Sequence, residues 1–244
     1  MAGAEATSLD YAGQELTVFA LAANWKAYVQ HRLDPFIVGD VAEVGAGLGE
    51  TTKARIGSKQ VRSWTCIEPD SAMASVIIAA NARHEYGRPV EVFATTLRQL
   101  PTAKLFDTVI YIDVLEHIEH DRAELAGVLA RLRPGGRIVV LSPAYQFLYS
   151  EFDKAIGHFR RYTKTVLRDL TPSGARVQTS FYLDSVGMMA SAANKFMLRQ
   201  ALPGRKQVLT WDRLMVPLSR LIDPLVGRSF GRSVVMVWLK DRGN

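Results

Sequence analysis

Val41-Ala-Glu-Val-Gly-Ala-Gly-Leu-Gly49 joins a short apolar segment to a turn with three glycines, and a helix-compatible segment follows it. Glycine has no Cβ, so the backbone at Gly45, Gly47 and Gly49 can turn sharply and lie close against a ligand. Glu68 stands at the end of the next apolar run. A carboxylate at the tip of a second parallel strand can accept hydrogen bonds from both hydroxyls of an adenosine ribose. The stretch therefore predicts a strand, a turn and a helix that bind a nucleoside-containing ligand.

The glycine spacing argues against two common nucleotide sites. It differs from the Gly-x-Gly-x-x-Gly of dinucleotide-binding folds, and the lack of a following Gly-Lys-Ser/Thr excludes a nucleoside-triphosphatase loop. Three further motifs occur in order: Ile67-Glu-Pro-Asp70, Asp113-Val-Leu-Glu-His-Ile118 and Leu132-Arg-Pro-Gly-Gly-Arg-Ile138. Together with the glycine turn they resemble the class I S-adenosylmethionine (SAM)-dependent methyltransferases, in particular a bacterial type 11/12 subgroup. The resemblance implies SAM as cofactor and methyl transfer as the reaction.

Strand and helix patterns alternate along the chain, which predicts an α/β fold with a parallel sheet covered on both faces. Strands are expected at about 40–44, 62–67, 90–93, 106–112, 137–141, 176–182 and 233–239, and helices at about 10–33, 71–85 and 121–132. With the resemblance, this implies a Rossmann-like, seven-stranded, mostly parallel sheet whose last strand is antiparallel. We expect residues 1–244 to form a single domain.

Two helical segments are expected to flank the cofactor and substrate. Residues 10–34 predict an N-terminal helical lid, in which Trp25 and Tyr28 either close over SAM or pack in the core. The connection 184–231 is too long for a structureless loop and carries two apolar helical patterns, with Pro217 expected to bend the second. We interpret this connection as a helical cap inserted before the last strand. The alternative is that it enlarges the core or makes a homodimer contact.

The composition is that of a globular protein, with 48% hydrophobic and 22% charged residues. The start of the chain lacks a secretory signal pattern, and no apolar run approaches the roughly 20 residues of a membrane span. The single cysteine, Cys66, cannot form an internal disulfide and suits a reducing compartment. These features predict a cytoplasmic protein.

The net charge of +6 is concentrated near the C-terminus. Residues 199–244 contain nine Lys/Arg and three Asp. Such a segment can meet an anionic acceptor or the inner surface of a membrane, or it can be a solvated helix face. Binding to nucleic acid is disfavoured, because there is no nucleic-acid module and no tight basic cluster. The expected partner is thus a small-molecule or lipid-linked acceptor, with peripheral membrane contact through the basic cap.

The resemblance assigns the strongest cofactor roles to the glycine turn and two carboxylates. Gly45, Gly47 and Gly49 would approach the methionine part of SAM. Glu43 would organise that turn or bind the ligand's amino group through water. Glu68 would bind the ribose. For each carboxylate, an ordinary capping or surface role is the alternative.

Weaker cofactor assignments follow strands 2, 3 and 4. Pro69 lies beside the proposed ribose-binding carboxylate. Many family members carry an acidic residue after strand 3, where this chain has Thr95-Thr96-Leu97. Thr96 and Leu97 would therefore contact the adenine through a hydroxyl, a backbone amide and apolar packing. Asp113 ends strand 4 and would lie near the methionine end.

The sulfonium of SAM already activates the methyl group, so the protein mainly has to align the reactants. A hydroxyl acceptor also benefits from a general base. His158 and His117 are the two candidates, and Tyr162 adds a phenol in the same loop as His158. Several polar side chains on one loop, at the edge of the sheet where ligands bind, indicate substrate binding or catalysis.

The segment from Pro143 to Thr163 is similar to that of a bacterial subgroup often found with glycosyltransferases and lipid-linked sugar pathways. That similarity implies a sugar, polyketide or lipid-like acceptor. Arg160 and Arg161 would bind a phosphate or carboxylate of the acceptor, or would pair with Asp153 or Glu151. Tyr145 is a further candidate for substrate binding.

A metal site at Glu116, His117, His120 and Asp121 is disfavoured, because acids that open a helix are common caps. We predict no metal. Two functions remain open. The first is SAM-dependent methyl transfer, expected at oxygen. The second is a SAM- or nucleoside-binding protein of the same fold that regulates or catalyses another reaction.

Overall fold

The computed structural model describes residues 21–193 and 204–242. The strands are β1 Gly39–Val44, β2 Val61–Ile67, β3 Glu91–Phe93, β4 Phe106–Ile112, β5 Leu132–Pro143, β6 Ala175–Leu183 and β7 Ser233–Lys240. The α-helices in these ranges are α1 Ala23–Leu33, α2 Glu50–Arg55, α3 Ser71–Ala82, α4 Asp121–Leu129, α5 Glu151–Ala155, α6 Lys164–Asp169, α7 Ser185–Ala193, α8 Arg205–Thr210 and α9 Val216–Leu225. A π-helix, Trp211–Met215, joins α8 to α9, and short 3₁₀ helices lie at Asp34–Phe36, Leu97–Gln99, Leu115–His117 and Gln146–Leu148.

The strands form one sheet in the order β3-β2-β1-β4-β5-β7-β6. The first five are parallel, whereas β7 runs antiparallel to both β5 and β6. The predicted Rossmann-like sheet with an antiparallel last strand is confirmed. The strand order reverses between β1 and β4, and ligands of such sheets bind beyond the carboxyl ends of the strands at this point.

Both faces of the sheet are buried, as the nearly continuous apolar runs of its central strands require. In β4, Ile110 packs into the core on one face, and Val109 and Tyr111 pack into the core on the other. The first helix after β2 begins where the sequence predicts it. Asp70 caps α3 by accepting hydrogen bonds from the backbone N–H groups of Ala72 and Met73 at 2.8 and 3.0 Å.

Some predicted boundaries were wrong. Strand β5 begins at Leu132 rather than Arg137, so Pro134-Gly135-Gly136 lies within the strand and does not form a separate turn before it. The pairing of β4 with β5 is irregular at this point, which accommodates a proline that cannot donate to the sheet. Helix α3 ends at Ala82, and His84 then adopts a left-handed φ of 59°, which continues no helix.

The long connection between β6 and β7 is helical in its described parts. Pro217 stands in the first turn of α9, where it lacks the N–H that would bond one turn back. The π-helix lies just before it, so the predicted bend takes the form of a locally widened helix. Residues 194–197 of the first predicted helix and 10–20 of the N-terminal one lie outside the described residues. No helix in the described ranges is long and apolar enough to cross a membrane.

A buried carboxylate fastens this connection to the rest of the fold. Asp223 of α9 is 0% exposed. It accepts hydrogen bonds from the Tyr28 hydroxyl at 2.7 Å and from the backbone N–H groups of Asp184 and Ser185 at 2.8 and 3.0 Å. The Ser185 hydroxyl donates to the same carboxylate. One side chain thus ties α9 to α1 and to the end of β6.

We expect Asp223→Ala to lower the free energy of unfolding by about 3 kcal/mol or more, because several buried donors lose their acceptor. Denaturant unfolding monitored by circular dichroism measures this loss. Asp169→Ala, at an exposed aspartate of α6, is the control and should change stability by about 0.5 kcal/mol or less. Equal stability of the two variants would show that Asp223 does not anchor the connection.

Candidate active site

A cavity of about 300 Å³ lies beyond the carboxyl ends of β1, β4 and β5. The glycine turn and α2 form one wall, and α1 with the π-helix forms another. His117, from the segment after β4, and His158, from the segment after β5, line the remaining side. The structure therefore brings the predicted glycine turn and both predicted histidines to one cavity.

The turn after β1 can be formed only by glycines at two of its positions. Gly45 and Gly49 have left-handed φ values of 67° and 80°. A Cβ on Gly45 would lie 2.7 Å from a methyl of Val114, and one on Gly49 would lie 2.3 Å from the Tyr86 hydroxyl. Gly47 also has a positive φ, 55°, and its backbone N–H is engaged by a side chain. The local backbone thus approaches its neighbours closely and exposes its edge to the cavity.

Glu43 lies beneath this turn and is 3% exposed. Its carboxylate accepts hydrogen bonds from the Thr52 hydroxyl at 2.5 Å and from the Trp64 indole N–H at 2.9 Å. Burial raises the pKa of Glu43 to about 7, against the lowering effect of these hydrogen bonds and of Arg55. The side chain also lines the cavity, so a cationic group bound there would meet a carboxyl close to its titration point.

Glu68 binds the turn from the other side. Its carboxylate accepts hydrogen bonds from the backbone N–H groups of Gly47 at 2.7 Å and Asp70 at 2.9 Å. Glu68 is 6% exposed and is not part of the cavity lining. Pro69 beside it is exposed. This carboxylate therefore joins the turns that follow β1 and β2.

The two residues predicted to contact adenine lie elsewhere. Thr96 is exposed and precedes a 3₁₀ helix, where its hydroxyl and backbone N–H both donate to the Gln99 side chain. Leu97 is 2% exposed and packs in the core. Neither lines the cavity.

The two aromatic residues of α1 have different surroundings. Trp25 lines the cavity, and its ring lies 5.6 Å from that of Trp211 in the π-helix. Its backbone N–H donates to Asp212 at 2.8 Å. Tyr28 is 3% exposed and donates to Asp223, so it packs in the core rather than facing the cavity.

Asp113 projects into the cavity from the end of β4. It adopts a left-handed φ of 53°, which an aspartate tolerates better than most residues. The residue is exposed on the cavity side, although protein surrounds its carboxyl group. This burial raises the pKa of Asp113 to about 6, against the lowering effect of the nearby His158 and Arg232.

The segment after β5 holds His158 in a defined orientation. The Nδ1–H of His158 donates to Asp153 at 2.9 Å, and Arg161 donates two further hydrogen bonds to the same carboxylate at 2.7 and 2.9 Å. Burial alone would raise the pKa of Asp153, but the hydrogen bonds from His158 and Arg161 hold it well below its usual range. In the neutral tautomer that protonates Nδ1, Nε2 of His158 is a hydrogen-bond acceptor, and it lies 3.9 Å from Oε1 of the buried Glu116.

His117 and Glu116 lie next to this pair. The rings of His117 and His158 meet edge to face with their centroids 4.5 Å apart. Burial and the neighbouring His158 lower the pKa of His117 to about 4, so it is neutral at physiological pH. Glu116 is 0% exposed and accepts a hydrogen bond from the Ser142 hydroxyl at 2.8 Å.

One donor atom from each of Glu116, His117 and His158 lies within 4.8 Å of the others, a spacing that a divalent cation could bridge. This grouping differs from the metal set considered from the sequence. Asp121 belongs instead to a buried contact, in which it accepts from the Tyr162 hydroxyl at 2.8 Å and pairs with Arg160 at 2.7 Å.

The remaining predicted residues lie outside the cavity lining. Tyr162 is 0% exposed, and its burial raises the pKa of the phenol well above the usual range. Arg160 is held by Asp121 and by the backbone carbonyl of Glu119. Tyr145 stacks on Tyr182 with ring centroids 5.0 Å apart.

Comparison with known proteins bears on the same segment. Residues 42–138, from β1 into β5, match a family model described as a methyltransferase domain. Over this segment the chain has the sequence pattern of a methyltransferase domain, and that family implies SAM as the co-substrate. The matched segment contains the glycine turn, Glu68, Asp113 and His117.

A curated relative of this chain is the ubiquinone biosynthesis O-methyltransferase of Rickettsia felis. The two are 25% identical over 71 residues, which are 29% of this chain and 29% of the relative. The aligned part is thus less than a third of the relative's length.

Several solved structures share the fold of this chain. A chain from the complex of the Haloferax volcanii Trm112 methyltransferase activator with its methyltransferase is 14% identical, with a TM-score of 0.64 over 98% of this chain and 100% of that one. The [4+2]-cyclase SpnF is 15% identical, with a TM-score of 0.61 over 90% and 80%. The N-methyltransferase NodS from Bradyrhizobium japonicum WM9 is 16% identical, with a TM-score of 0.55 over 91% and 99%. At such identities the likeness shows the fold alone.

The sequence did not single out two of the side chains that line the cavity, Trp211 and Arg232. Trp211 lay within a predicted apolar helix stripe, which gave no reason to separate it from core residues. Arg232 was one of nine basic residues in the C-terminal segment and belonged to no motif. Only the tertiary structure, which places the π-helix and the start of β7 beside the cavity, distinguishes these two residues from the others in the segment.

We expect Gly45→Ala to weaken binding of S-adenosylhomocysteine, measured by calorimetry, by at least about tenfold. The left-handed φ and the contact with Val114 should also lower the free energy of unfolding by about 1–3 kcal/mol. Gly57→Ala is the matched control, since a Cβ there meets nothing within 4 Å. If both variants bind the ligand as the wild type does, the turn is not part of the cofactor site.

Proposed function

We propose that the chain transfers a methyl group from SAM to a small-molecule acceptor, and that the cavity holds both the methionine end of SAM and the acceptor. One observation carries this proposal: a single cavity is lined by the glycine turn on one side and by the Asp153–His158 pair on the other. A cofactor-binding backbone and an oriented base therefore face the same space.

The residues of the cavity and of the adjoining turns fit SAM in its chemistry. Gly45 and Gly47 offer backbone at the wall of the cavity, and Glu43 offers a carboxyl to an amino group. Each oxygen of Glu68 accepts one backbone N–H and keeps a second lone pair, which a ribose hydroxyl could use. When bound, SAM supplies a methyl group activated by its sulfonium.

Methylation at oxygen is the reaction that His158 favours. In the proposed step, Nε2 of His158 would accept the proton of an acceptor hydroxyl as the acceptor oxygen bonds to the methyl carbon. The bond from that carbon to the sulfonium sulfur would break at the same time, and S-adenosylhomocysteine would leave. The Asp153 carboxylate holds the ring in the required tautomer and stabilises the imidazolium that results. His117, with its lowered pKa, is the weaker base. We do not assign a catalytic role to Tyr162, whose hydroxyl is bound to Asp121.

The second candidate function is SAM or nucleoside binding without methyl transfer. The cyclase SpnF shares this fold, which shows that the fold alone does not specify methylation. The two candidates make different predictions for His158. A binding protein needs no oriented base, whereas a methyltransferase acting on a hydroxyl gains about 10²–10⁴-fold from one.

We expect the purified chain to bind SAM and S-adenosylhomocysteine and to transfer a radiolabelled methyl group to members of a panel of catechols, sugars and polyprenyl-linked sugars. His158→Gln should lower kcat by about 100-fold or more. It should leave the affinity for S-adenosylhomocysteine within about twofold, because the base lies on the acceptor side. His120→Gln, at an exposed histidine outside the cavity lining, is the matched control and should keep full activity.

Two results would contradict the proposal. Binding of SAM without turnover on any acceptor class would favour the binding-protein alternative. Full turnover by His158→Gln would remove the assigned base and favour an acceptor that needs none, such as an amine.

We further propose that the outer face of the cap contacts an anionic membrane surface, where a lipid-linked acceptor would reside. Leu218, Leu221 and Leu225 of α9 are 46%, 70% and 85% exposed and share one face at helical spacing. Val216, Ser219 and Asp223 form the opposite, buried face. The apolar stripe therefore points away from the protein, so packing within the chain does not explain why it is apolar.

The sign of the charges near this stripe indicates that the partner surface is anionic. Arg205, Lys206, Arg213 and Arg220 are exposed along the same helical segment. Its two acidic residues, Asp212 and Asp223, are buried. Every exposed charge between residues 205 and 225 is thus positive, as in amphipathic helices that lie on anionic lipid.

We expect the protein to float with vesicles of phosphatidylcholine mixed with phosphatidylglycerol, but not with phosphatidylcholine alone. Arg213→Gln combined with Arg220→Gln should weaken this binding about 30-fold, since each basic residue contributes about 1 kcal/mol at such a surface. Leu218→Ser combined with Leu221→Ser should abolish it, and Val166→Ser, at an exposed residue of α6, should not change it. If the leucine variant instead dissociates a dimer seen by light scattering, the face binds a second copy and the membrane proposal fails.

A further inference from the structure

Arg232 places a positive charge in the cavity without a carboxylate against it. Its guanidinium lies over the ring of Trp211, 4.8 Å from the ring centroid. Within residues 21–193 and 204–242, no carboxylate lies at ion-pair distance from it. Burial lowers the pKa of Arg232, against the raising effect of the Asp184, Asp113 and Asp153 carboxylates, none of which forms an ion pair with it. A partly buried charge without an ion-pair partner is costly, and a ligand that supplies the counter-charge offsets that cost.

The other cations of the cavity already have partners. Arg161 donates two hydrogen bonds to Asp153, and Arg55 donates to Asp34 at 2.7 Å. Lys26 pairs with Glu50. Asp113 also lines the cavity, but its carboxyl group forms no ion pair with Arg232. Arg232 is therefore the cavity cation, among the described residues, that is available to a bound anion.

The backbone holds Arg232 at a fixed place in the sheet. Its N–H donates to the carbonyl of Asp184 at 3.0 Å, and its carbonyl accepts from the N–H of Ala144 at 2.8 Å. It directly precedes β7, which lies three places from β1 in the strand order. At about 4.8 Å per strand, the start of β7 is about 14 Å from the glycine turn across the sheet. The anion for Arg232 would thus lie on the far side of the cavity from the turn.

We propose that Arg232 binds an anionic group, a carboxylate or a phosphate, on the methyl acceptor. The guanidinium presents paired N–H donors that match either group, and Trp211 keeps its plane fixed. This inference rests on the proposed function only where it identifies the anionic molecule as the methyl acceptor. The anion site itself requires no methyl transfer. This proposal gives Arg232 the role that the sequence suggested for Arg160 and Arg161. The guanidinium groups of those two residues are held by protein carboxylates.

The test measures binding of benzoate, benzamide and inorganic phosphate by calorimetry, with and without S-adenosylhomocysteine. We expect the wild type to bind benzoate or phosphate at least tenfold more tightly than benzamide. Arg232→Gln should lose this preference, Arg232→Lys should keep part of it, and Arg168→Gln, at an exposed arginine of α6, should keep all of it. The affinity for S-adenosylhomocysteine should remain within twofold in every variant.

Thermal unfolding gives a second readout that separates ligand binding from damage to the fold. Without ligand, Arg232→Gln should be at least as stable as the wild type, because it removes a partly buried charge that has no ion-pair partner among the described residues. Benzoate or phosphate should raise the Tm of the wild type but not that of Arg232→Gln. A variant that unfolds at a much lower temperature would instead show a structural role for Arg232.

Each alternative gives a different result. If Arg232→Gln weakens S-adenosylhomocysteine and leaves the anions unaffected, Arg232 binds the methionine carboxylate of the cofactor, and the acceptor assignment is wrong. If the wild type binds neither anion better than benzamide, there is no anion site. If the anions bind through Arg232 but SAM and S-adenosylhomocysteine do not bind at all, the proposed function fails while the anion site stands.

Discussion

The site depends on how the chain leaves β1. At Gly45 and Gly49 the backbone takes left-handed φ values and passes so close to Val114 and Tyr86 that no Cβ fits. Glu68 then fixes the turn by accepting the N–H of Gly47. These contacts come from the segments that directly follow β2, β4 and α3. The turn is therefore held by its neighbours in the fold rather than by its own conformation. A cofactor that binds there meets backbone already in place.

A second set of carboxylates positions the opposite wall of the cavity. Asp212 accepts from α1, Asp223 accepts from Tyr28 and Ser185, and Asp184 accepts from the Trp211 indole N–H at 2.7 Å. All three are nearly or fully buried. A buried acceptor with several donors is costly to break, so these groups specify one arrangement of the helical connection. That arrangement is what brings Trp211 over Arg232 and both of them into the cavity.

The fold could be predicted because its signals are local. Each central strand is an apolar run of fitting length, and Asp70 is a capping residue directly before an apolar helix. The mostly parallel sheet with its antiparallel last strand therefore followed from the alternation and the resemblance. The contacts of the acidic residues could not be predicted. Asp212 and Asp223 sit in a basic segment and would be expected on its surface, but tertiary hydrogen bonds bury them. The pairing of Glu116 with the histidines likewise depends on a backbone hydrogen bond from Phe159 to the Glu116 carbonyl, far apart in sequence.

The two ends of the cavity differ in a way that bears on the reaction. Near the glycine turn, the cavity is lined by backbone, by the carboxyl of Glu43 and by two cations already paired with carboxylates, Lys26 and Arg55. At the far end it is lined by a base, a carboxyl and a cation: His158, Asp113 and Arg232. A sulfonium needs no base to release its methyl group, so an imidazole held by Asp153 suits an acceptor that must lose a proton. A cation beyond it suits an acceptor that carries a negative charge. The acceptor that we propose is therefore an acidic molecule with a hydroxyl group, such as a phosphorylated or carboxylated sugar or phenol.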